Sequence, residues 1–247
     1  MIRLGVNVDH IATVRQARRG RQPDPIEAAV ACERAGAQSI VCHLREDRRH
    51  MQEQDVRRLK RTVRTRFNLE MSIAPSIVKV ALAVRPDQVT LVPERRQELT
   101  TEGGLDAIRL RRRLEPLIRA FHRSKIGVSL FLDPSLRQLN AAQGLGAGIV
   151  ELHTGRYANA QTAPVRRREL EWLGRAAAHG RGLGLAIAAG HGLDYENIRE
   201  MIGIRDIEEV NIGFSIITRA LTVGLERAVQ EMLAALQPQQ HHVINAA

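Results

Sequence analysis

Eight short apolar runs alternate with longer amphipathic segments along this chain, and no other feature restricts its fold as much. The runs are Arg3–Val8, Ser39–Cys42, Asn68–Ser72, Gln88–Val92, Gly127–Leu132, Gly148–Leu152, Gly184–Ala188 and Glu209–Ile212. Short apolar runs bounded by turn residues predict buried strands. The segments between them, Pro25–Ala35, Gln52–Arg66, Ser76–Val84, Leu105–His122, Ser135–Gly144, Pro164–His179, Tyr195–Ile202 and Ile216–Leu236, space their apolar residues at helical intervals. Asp24-Pro25 supplies a cap followed by proline at the first helical position, and Gly36 a stop. Alternating strand–helix units make a parallel sheet. Eight of them in 247 residues predict one domain, a closed (β/α)8 TIM barrel over residues 1–236 with extra helices. Residues 237–247 read as a loosely ordered tail. An open doubly wound sheet is the competing architecture. The barrel is preferred because polar residues gather at the end of nearly every strand.

The densest of these ends is Val41 to His50, where Ser39-Ile40-Val41 leads into two histidines, three arginines and two carboxylates. No apolar core needs that mixture. In a barrel, catalytic groups come from the C-terminal ends of several strands. Here those ends offer Asn7, Asp9 and His10; His43 and Arg45; Glu70; Glu94; Glu151 and His153; His191; and Asn211. Glu70 lies inside Phe67-Asn68-Leu69-Glu70-Met71, where burial of a carboxylate is costly and a raised pKa suits acid–base work. His191 stands between Gly190 and Gly192, which allow close approach of backbone to a ligand. The blander readings are a core histidine at 43, a helix-cap contact at His10 and a buried ion pair at Glu70.

Phosphate has its own signals. Barrels often hold it with the loops after strands seven and eight, where Gly190-His191-Gly192 and Gly213-Phe214-Ser215 fall. Arg45 and His50 could hold a second anion, and Arg18 could reach in from the first loop. The loop from Pro93 to Gly104 is long enough to close over the mouth. The net charge of +10 favours anionic partners, small phosphorylated molecules or nucleic acid. Aromatic residues are only 3%, which speaks against stacking platforms for single strands. The lysines, Lys60, Lys79 and Lys125, avoid the C-terminal strand ends. An enzyme-lysine Schiff base is therefore not expected, and any imine chemistry needs a substrate-borne amine.

Other classes fit poorly. No apolar stretch approaches the roughly 18 residues of a membrane span. The N-terminus runs straight into a strand, without a signal peptide. Cys32 and Cys42 read as reduced core residues of a cytoplasmic protein. Metal ligation lacks a His-x-His on the first strand, and Asp9 and His10, read as extended, would point to different sides.

Several blocks, in order, resemble the pyridoxine 5′-phosphate synthase family, which closes the vitamin B6 ring. They are Gly5 to Thr13, His43 to His50, Asn68 to Met71, Leu91 to Glu94, Thr100 to Asp106, Glu151 to Gly155 and Ala189 to Leu193. The resemblance spans positions 3 to 236. It implies condensation of 3-amino-2-oxopropyl phosphate with 1-deoxy-D-xylulose 5-phosphate to pyridoxine 5′-phosphate, phosphate and water. It also implies a homo-octamer without metal or cofactor. By the same resemblance His43 and Glu70 accept protons and His191 donates one. Asp9, His10, Arg45, His50 and Thr100 would hold the deoxyxylulose phosphate, and Asn7, Arg18, Gly192, Gly213 and Phe214 the amino-ketone phosphate. The family usually has histidine where this chain has Phe214, so an imidazole contact is lost. Ala188 stands where asparagine is common. Two other functions remain open at this stage, a metal-dependent hydrolase on the same barrel and a basic nucleic-acid binder.

Overall fold

Eight parallel strands close on themselves in sequence order in a computed structural model of the chain, which describes residues 2–94 and 103–237. They are β1 (Arg3–Asn7), β2 (Ser39–Leu44), β3 (Arg66–Met71), β4 (Gln88–Leu91), β5 (Gly127–Leu132), β6 (Ile149–His153), β7 (Ala186–Gly190) and β8 (Glu209–Ile212). Closure is made by β1 against β8, with Gly5 opposite Asn211. The expected single-domain barrel is therefore the fold, and the open sheet is excluded.

Eleven helices are formed by the described residues: α1 (Asp9–Ala17), α2 (Pro25–Arg34), α3 (Glu53–Thr62), α4 (Pro75–Val84), α5 (Arg111–Arg123), α6 (Leu136–Gly144), α7 (Gly155–Ala158), α8 (Ala163–Gly182), α9 (Ile198–Met201), α10 (Phe214–Val223) and α11 (Leu225–Ala235). The start of α2 is as expected: Asp24 Oδ1 accepts from the Ile26 N–H at 3.0 Å and Pro25 opens the helix. Three expectations need correction. Residues 9–17, where the sequence predicts no helix and an extended chain at Asp9 and His10, form α1, whose Asp9 N–H is satisfied by Asn7 Oδ1 at 2.8 Å. The helix expected from Gln52 to Arg66 stops at Thr62, because Val63 turns extended and Arg66 already belongs to β3. The single helix expected over Ile216–Leu236 is two, parted by Gly224, whose φ of +84° no helical residue adopts.

The apolar core lies between barrel and helices. Leu4, Val6, Ile40, Cys42, Leu69, Met71, Leu130 and Leu152 are all fully buried there. The lumen is different. Side-chain bonds join strands that are not neighbours, so they cross the interior: Asn7 to Glu70, Asn211 to Glu151, and Arg66 to Glu209. Near the N-terminal ends, Glu209 accepts both Arg3 and Arg66. Above them Thr90 donates to Asn68 at 2.9 Å. Barrels usually fill the lumen with layers of branched apolar side chains. Here alternate strand positions are polar, and buried polar groups are stable only when paired. Among the described residues no helix is long and apolar enough to cross a membrane. Of the expected tail, only Gln237 lies within the described residues.

Candidate active site

The end of β2 gathers the first group. Asp9, opening α1, accepts the His43 backbone N–H on Oδ1 at 2.8 Å and lies 4.0 Å from His50 Nδ1. The His43 and His50 rings meet edge to face, with centroids 6.3 Å apart. His50 Nδ1 accepts the Met51 N–H at 2.9 Å, so a neutral ring carries its proton on Nε2. Glu94, just past β4, turns back over this group. Its carboxylate stands 3.5 Å from His43 Nε2 and 3.7 Å from the Arg45 guanidinium. Arg45 also lies 3.5 Å from Asp47. Burial holds the His50 and His10 imidazoles below the usual histidine range.

Glu70 opens into the lumen beside them. It is directly opposite His43 in the β2–β3 register. Asn7 Nδ2 donates to its Oε2 at 3.4 Å. Burial first, then the charges of Glu151 and Asp9, raise its pKa well above the carboxylate range. Glu151 on β6 accepts Asn211 Nδ2 at 2.7 Å; burial pushes its pKa up to about 7 even so. Two glycines make room for this pair. A Cβ on Gly190 would lie 2.2 Å from Glu151 Oε1, and one on Gly5 would lie 2.2 Å from Asn211 Oδ1.

The third group sits where β6 and β7 end. His191 has φ +86°, a left-handed conformation rare outside glycine. The Thr154 hydroxyl lies 2.6 Å from the carbonyl oxygens of both Gly190 and His191. The His191 ring meets His153 edge to face at 5.1 Å, and Phe131 flanks both. His153 Nδ1 is 3.1 Å from Asp133 Oδ1. Burial, then the neighbouring His153, brings the His191 pKa down to about 4.

The expected phosphate residues divide. Gly192, at φ +76°, accepts Asn197 Nδ2 on its carbonyl. Gly213 packs on Asn7, whose Cβ a side chain there would meet at 3.0 Å. Phe214 opens α10, 68% exposed, with its ring edge-on to His10 at 5.2 Å. Asp9 and His10 are not on an extended chain, as expected, but in the first turn of α1. Arg18 is exposed at the end of α1, and no hydrogen bond or ion pair joins it to the group among the described residues. Thr100 and most of the loop expected to close over the mouth lie outside the described residues.

The mouth thus carries a half-buried carboxyl whose pKa is raised well above its ordinary value, a second that titrates near pH 7, and a neutral imidazole. Carboxyls whose surroundings raise their pKa toward or above neutrality are equipped for general acid–base work. Glu94, Glu151 and His153 stand out among strand-end residues in the sequence, but without partners or roles. Asp133 carries no sequence signal, since its contact with His153 exists only once β5 and β6 are adjacent. No three His, Cys, Asp or Glu side chains among the described residues are grouped to hold one metal ion.

Comparison with known proteins follows the same lines. Residues 4–238 match the family described as "Pyridoxal phosphate biosynthesis protein PdxJ". A curated relative from Synechococcus sp., pyridoxine 5′-phosphate synthase, is 55% identical over 236 residues, covering 96% of this chain and 99% of that one. Another of the same name, from Cyanothece sp., is 53% identical over 234 residues, covering 95% and 98%. Among solved structures, phosphoribosylanthranilate isomerase from Thermotoga maritima superposes with a TM-score of 0.59 at 12% identity, over 96% of this chain and 98% of that one. KGPDC from Streptococcus mutans gives 0.65 at 11% identity, over 96% and 97%. At such identities these two structures speak for the barrel alone.

Proposed function

The chain belongs to the PdxJ family of pyridoxal phosphate biosynthesis proteins, and from that premise we propose how its barrel forms pyridoxine 5′-phosphate. It is an enzyme that joins two phosphorylated substrates, 3-amino-2-oxopropyl phosphate and 1-deoxy-D-xylulose 5-phosphate. The substrate amine attacks the ketone of its partner, and the carbinolamine loses water to give the imine. The deoxyxylulose phosphate group then leaves as inorganic phosphate and water adds to the unsaturated chain. Carbon–carbon bond formation closes the ring, and loss of two further waters makes it aromatic.

Glu70 shuttles protons in imine formation and in the step after it. What supports this is its place in the lumen near Glu151, where desolvation raises its pKa: a carboxyl that holds a proton more readily can give it to a departing hydroxyl and take one back. His43 removes a substrate proton, with the Glu94 carboxylate 3.5 Å away to stabilise the imidazolium that results. His191 donates during the final dehydration. Free, its ring is neutral, and an anionic phosphate bound nearby raises its pKa toward a working value. The amine is the substrate's own. Lys60 is engaged by Asp87, Lys79 lies on α4, and Lys125 precedes β5 at the opposite end of the barrel.

Asp9, His10, Arg45, His50 and Thr100 hold the deoxyxylulose phosphate in this reading. Asn7, Arg18, Gly192, Gly213 and Phe214 hold the amino-ketone phosphate. The protein works as a cytoplasmic homo-octamer without cofactor or metal and without nucleic acid, a state that light scattering of the purified protein tests. The single observation that carries the mechanism is the Glu70 carboxyl in the lumen, opposite His43 in the strand register and held by Asn7 Nδ2 at 3.4 Å. Incubation with both phosphates should yield a pyridine chromophore and one equivalent of inorganic phosphate. Glu70→Gln should abolish turnover and leave binding of both phosphates nearly unchanged. Normal turnover by that variant would remove Glu70 from the chemistry.

A further inference from the structure

We propose that Asp133, His153 and Thr154, none of which the mechanism above uses, are positioning residues that hold the His191 imidazole at its working angle. The proposal rests on the reading of His191 as proton donor. Two independent features lead to it.

The first is backbone strain. A non-glycine residue at φ +86° is strained and persists only where its surroundings over-determine it. Thr154 is that surrounding. Its N–H donates to the Gly190 carbonyl at 2.9 Å, and its hydroxyl lies 2.6 Å from the carbonyls of Gly190 and His191. The turn that aims His191 is thus tied to the end of the neighbouring strand. Thr154 is fully buried, so these bonds face no competition from water.

The second is the ring stack. His191 leans edge to face on His153, and His153 is itself fixed. Its Nδ1 faces Asp133 Oδ1 at 3.1 Å, so the proton of the neutral ring sits on Nδ1 and the ring cannot rotate without losing it. Asp133 is anchored in turn by the Gly104 N–H at 3.1 Å. The contact with His153 holds the Asp133 carboxyl below the usual carboxylate range, so the acceptor stays charged. Gly155 leaves the space the two rings occupy: a Cβ there would lie 2.5 Å from His153 Nε2 and 3.3 Å from His191 Cδ2. Carboxylate, first imidazole and second imidazole form a line from the half-exposed rim to the donor.

The test is steady-state kinetics on the full-length enzyme. His153→Phe keeps a ring but loses the Nδ1–H. It should lower kcat roughly 10- to 100-fold, the effect of a small misplacement of a reacting group, with both KM values within twofold. Asp133→Ala, at a half-exposed position that tolerates truncation, should repeat the loss, while Asp133→Asn, which keeps an acceptor, should recover most of it. Thr154→Val should lower kcat and Thr154→Ser restore it. In a double-mutant cycle with His191→Gln, adding His153→Phe should slow the enzyme no further. A His153→Phe enzyme with wild-type kcat, or full additivity in the cycle, would overturn the proposal. If His191→Gln itself turned over normally, the donor reading would fall, and the positioning role with it.

Discussion

Glu151 and Asn211 meet across the lumen, Asn211 Nδ2 donating to Glu151 Oε2 at 2.7 Å over the intervening strand β7. The bond orients the carboxyl but does not keep it ionised. Burial dominates and pushes its pKa from 4.5 up to about 7.

That shift makes stability depend on pH in a stated direction. The folded state binds this proton more tightly than the unfolded chain does. The stabilising contribution is therefore complete below about pH 4.5 and lost as pH rises through about 7. Glu151→Gln, neutral throughout, should be more stable than the parent at pH 8 and nearly equal to it at pH 4.5. Thermal melts of both proteins across that range check it; a difference independent of pH would refute the assignment.

Gly190 and Gly5 should tolerate no side chain. Each Cβ would land 2.2 Å from an oxygen of the Glu151–Asn211 pair. Gly190→Ala is expected to cost roughly 1–3 kcal/mol through overpacking and to abolish turnover by displacing the carboxyl. Urea denaturation and a turnover assay on the same preparation separate the two effects.

Arg15 and Asp55 form a buried bidentate pair at 2.8 and 2.7 Å, and Arg15 also donates to the His50 carbonyl at 3.2 Å. Removing one partner strands a buried charge. Asp55→Ala should destabilise by about 3–5 kcal/mol, whereas Arg15→Met with Asp55→Leu should recover much of that. The double variant should still bind the deoxyxylulose phosphate more weakly, since the anchor of His50 is gone. Calorimetry and substrate titration report the two quantities.

Phe214 presents an apolar edge to His10 at the start of α10. Phe214→His supplies a hydrogen-bond donor at the mouth. It should lower KM for the amino-ketone phosphate several-fold and leave kcat within twofold. An unchanged KM would remove position 214 from phosphate binding.

Both thiols should be silent in the native protein. Burial pushes the Cys32 pKa up to about 12 and that of Cys42 well above the thiol range, so neither offers a thiolate. A thiol reagent at pH 8 should label them only as the chain unfolds, with both reacting together.

Much of this was legible in the residues. Alternation of strand and helix fixes a parallel barrel, and Asp24-Pro25 marks the start of α2 to the residue. The lumen was harder. Reading Asn68 to Ser72 as an apolar run, with Arg66 assigned to the helix before it, overlooks that in β3 Arg66, Asn68 and Glu70 share one face while Phe67, Leu69 and Met71 share the other. The helix α1 was hidden because the asparagine that accepts its first N–H lies inside a strand-like stretch and its buried Arg15 resembles a solvated charge. Site residues at strand ends were visible as types in places. Their partners were not: Glu94 over His43 and Asp133 on His153 depend on which strands become neighbours.

The pairing of β1 with β8 has one more consequence. A ring of strands offers no unsatisfied backbone rim to another chain. Among the described residues, copies of this protein would meet through the outer helices and loops and not by extending the sheet. Substitutions on those outward faces should therefore alter assembly without touching the ring's hydrogen bonding, and fibril-like growth by strand addition has no starting point in the native fold.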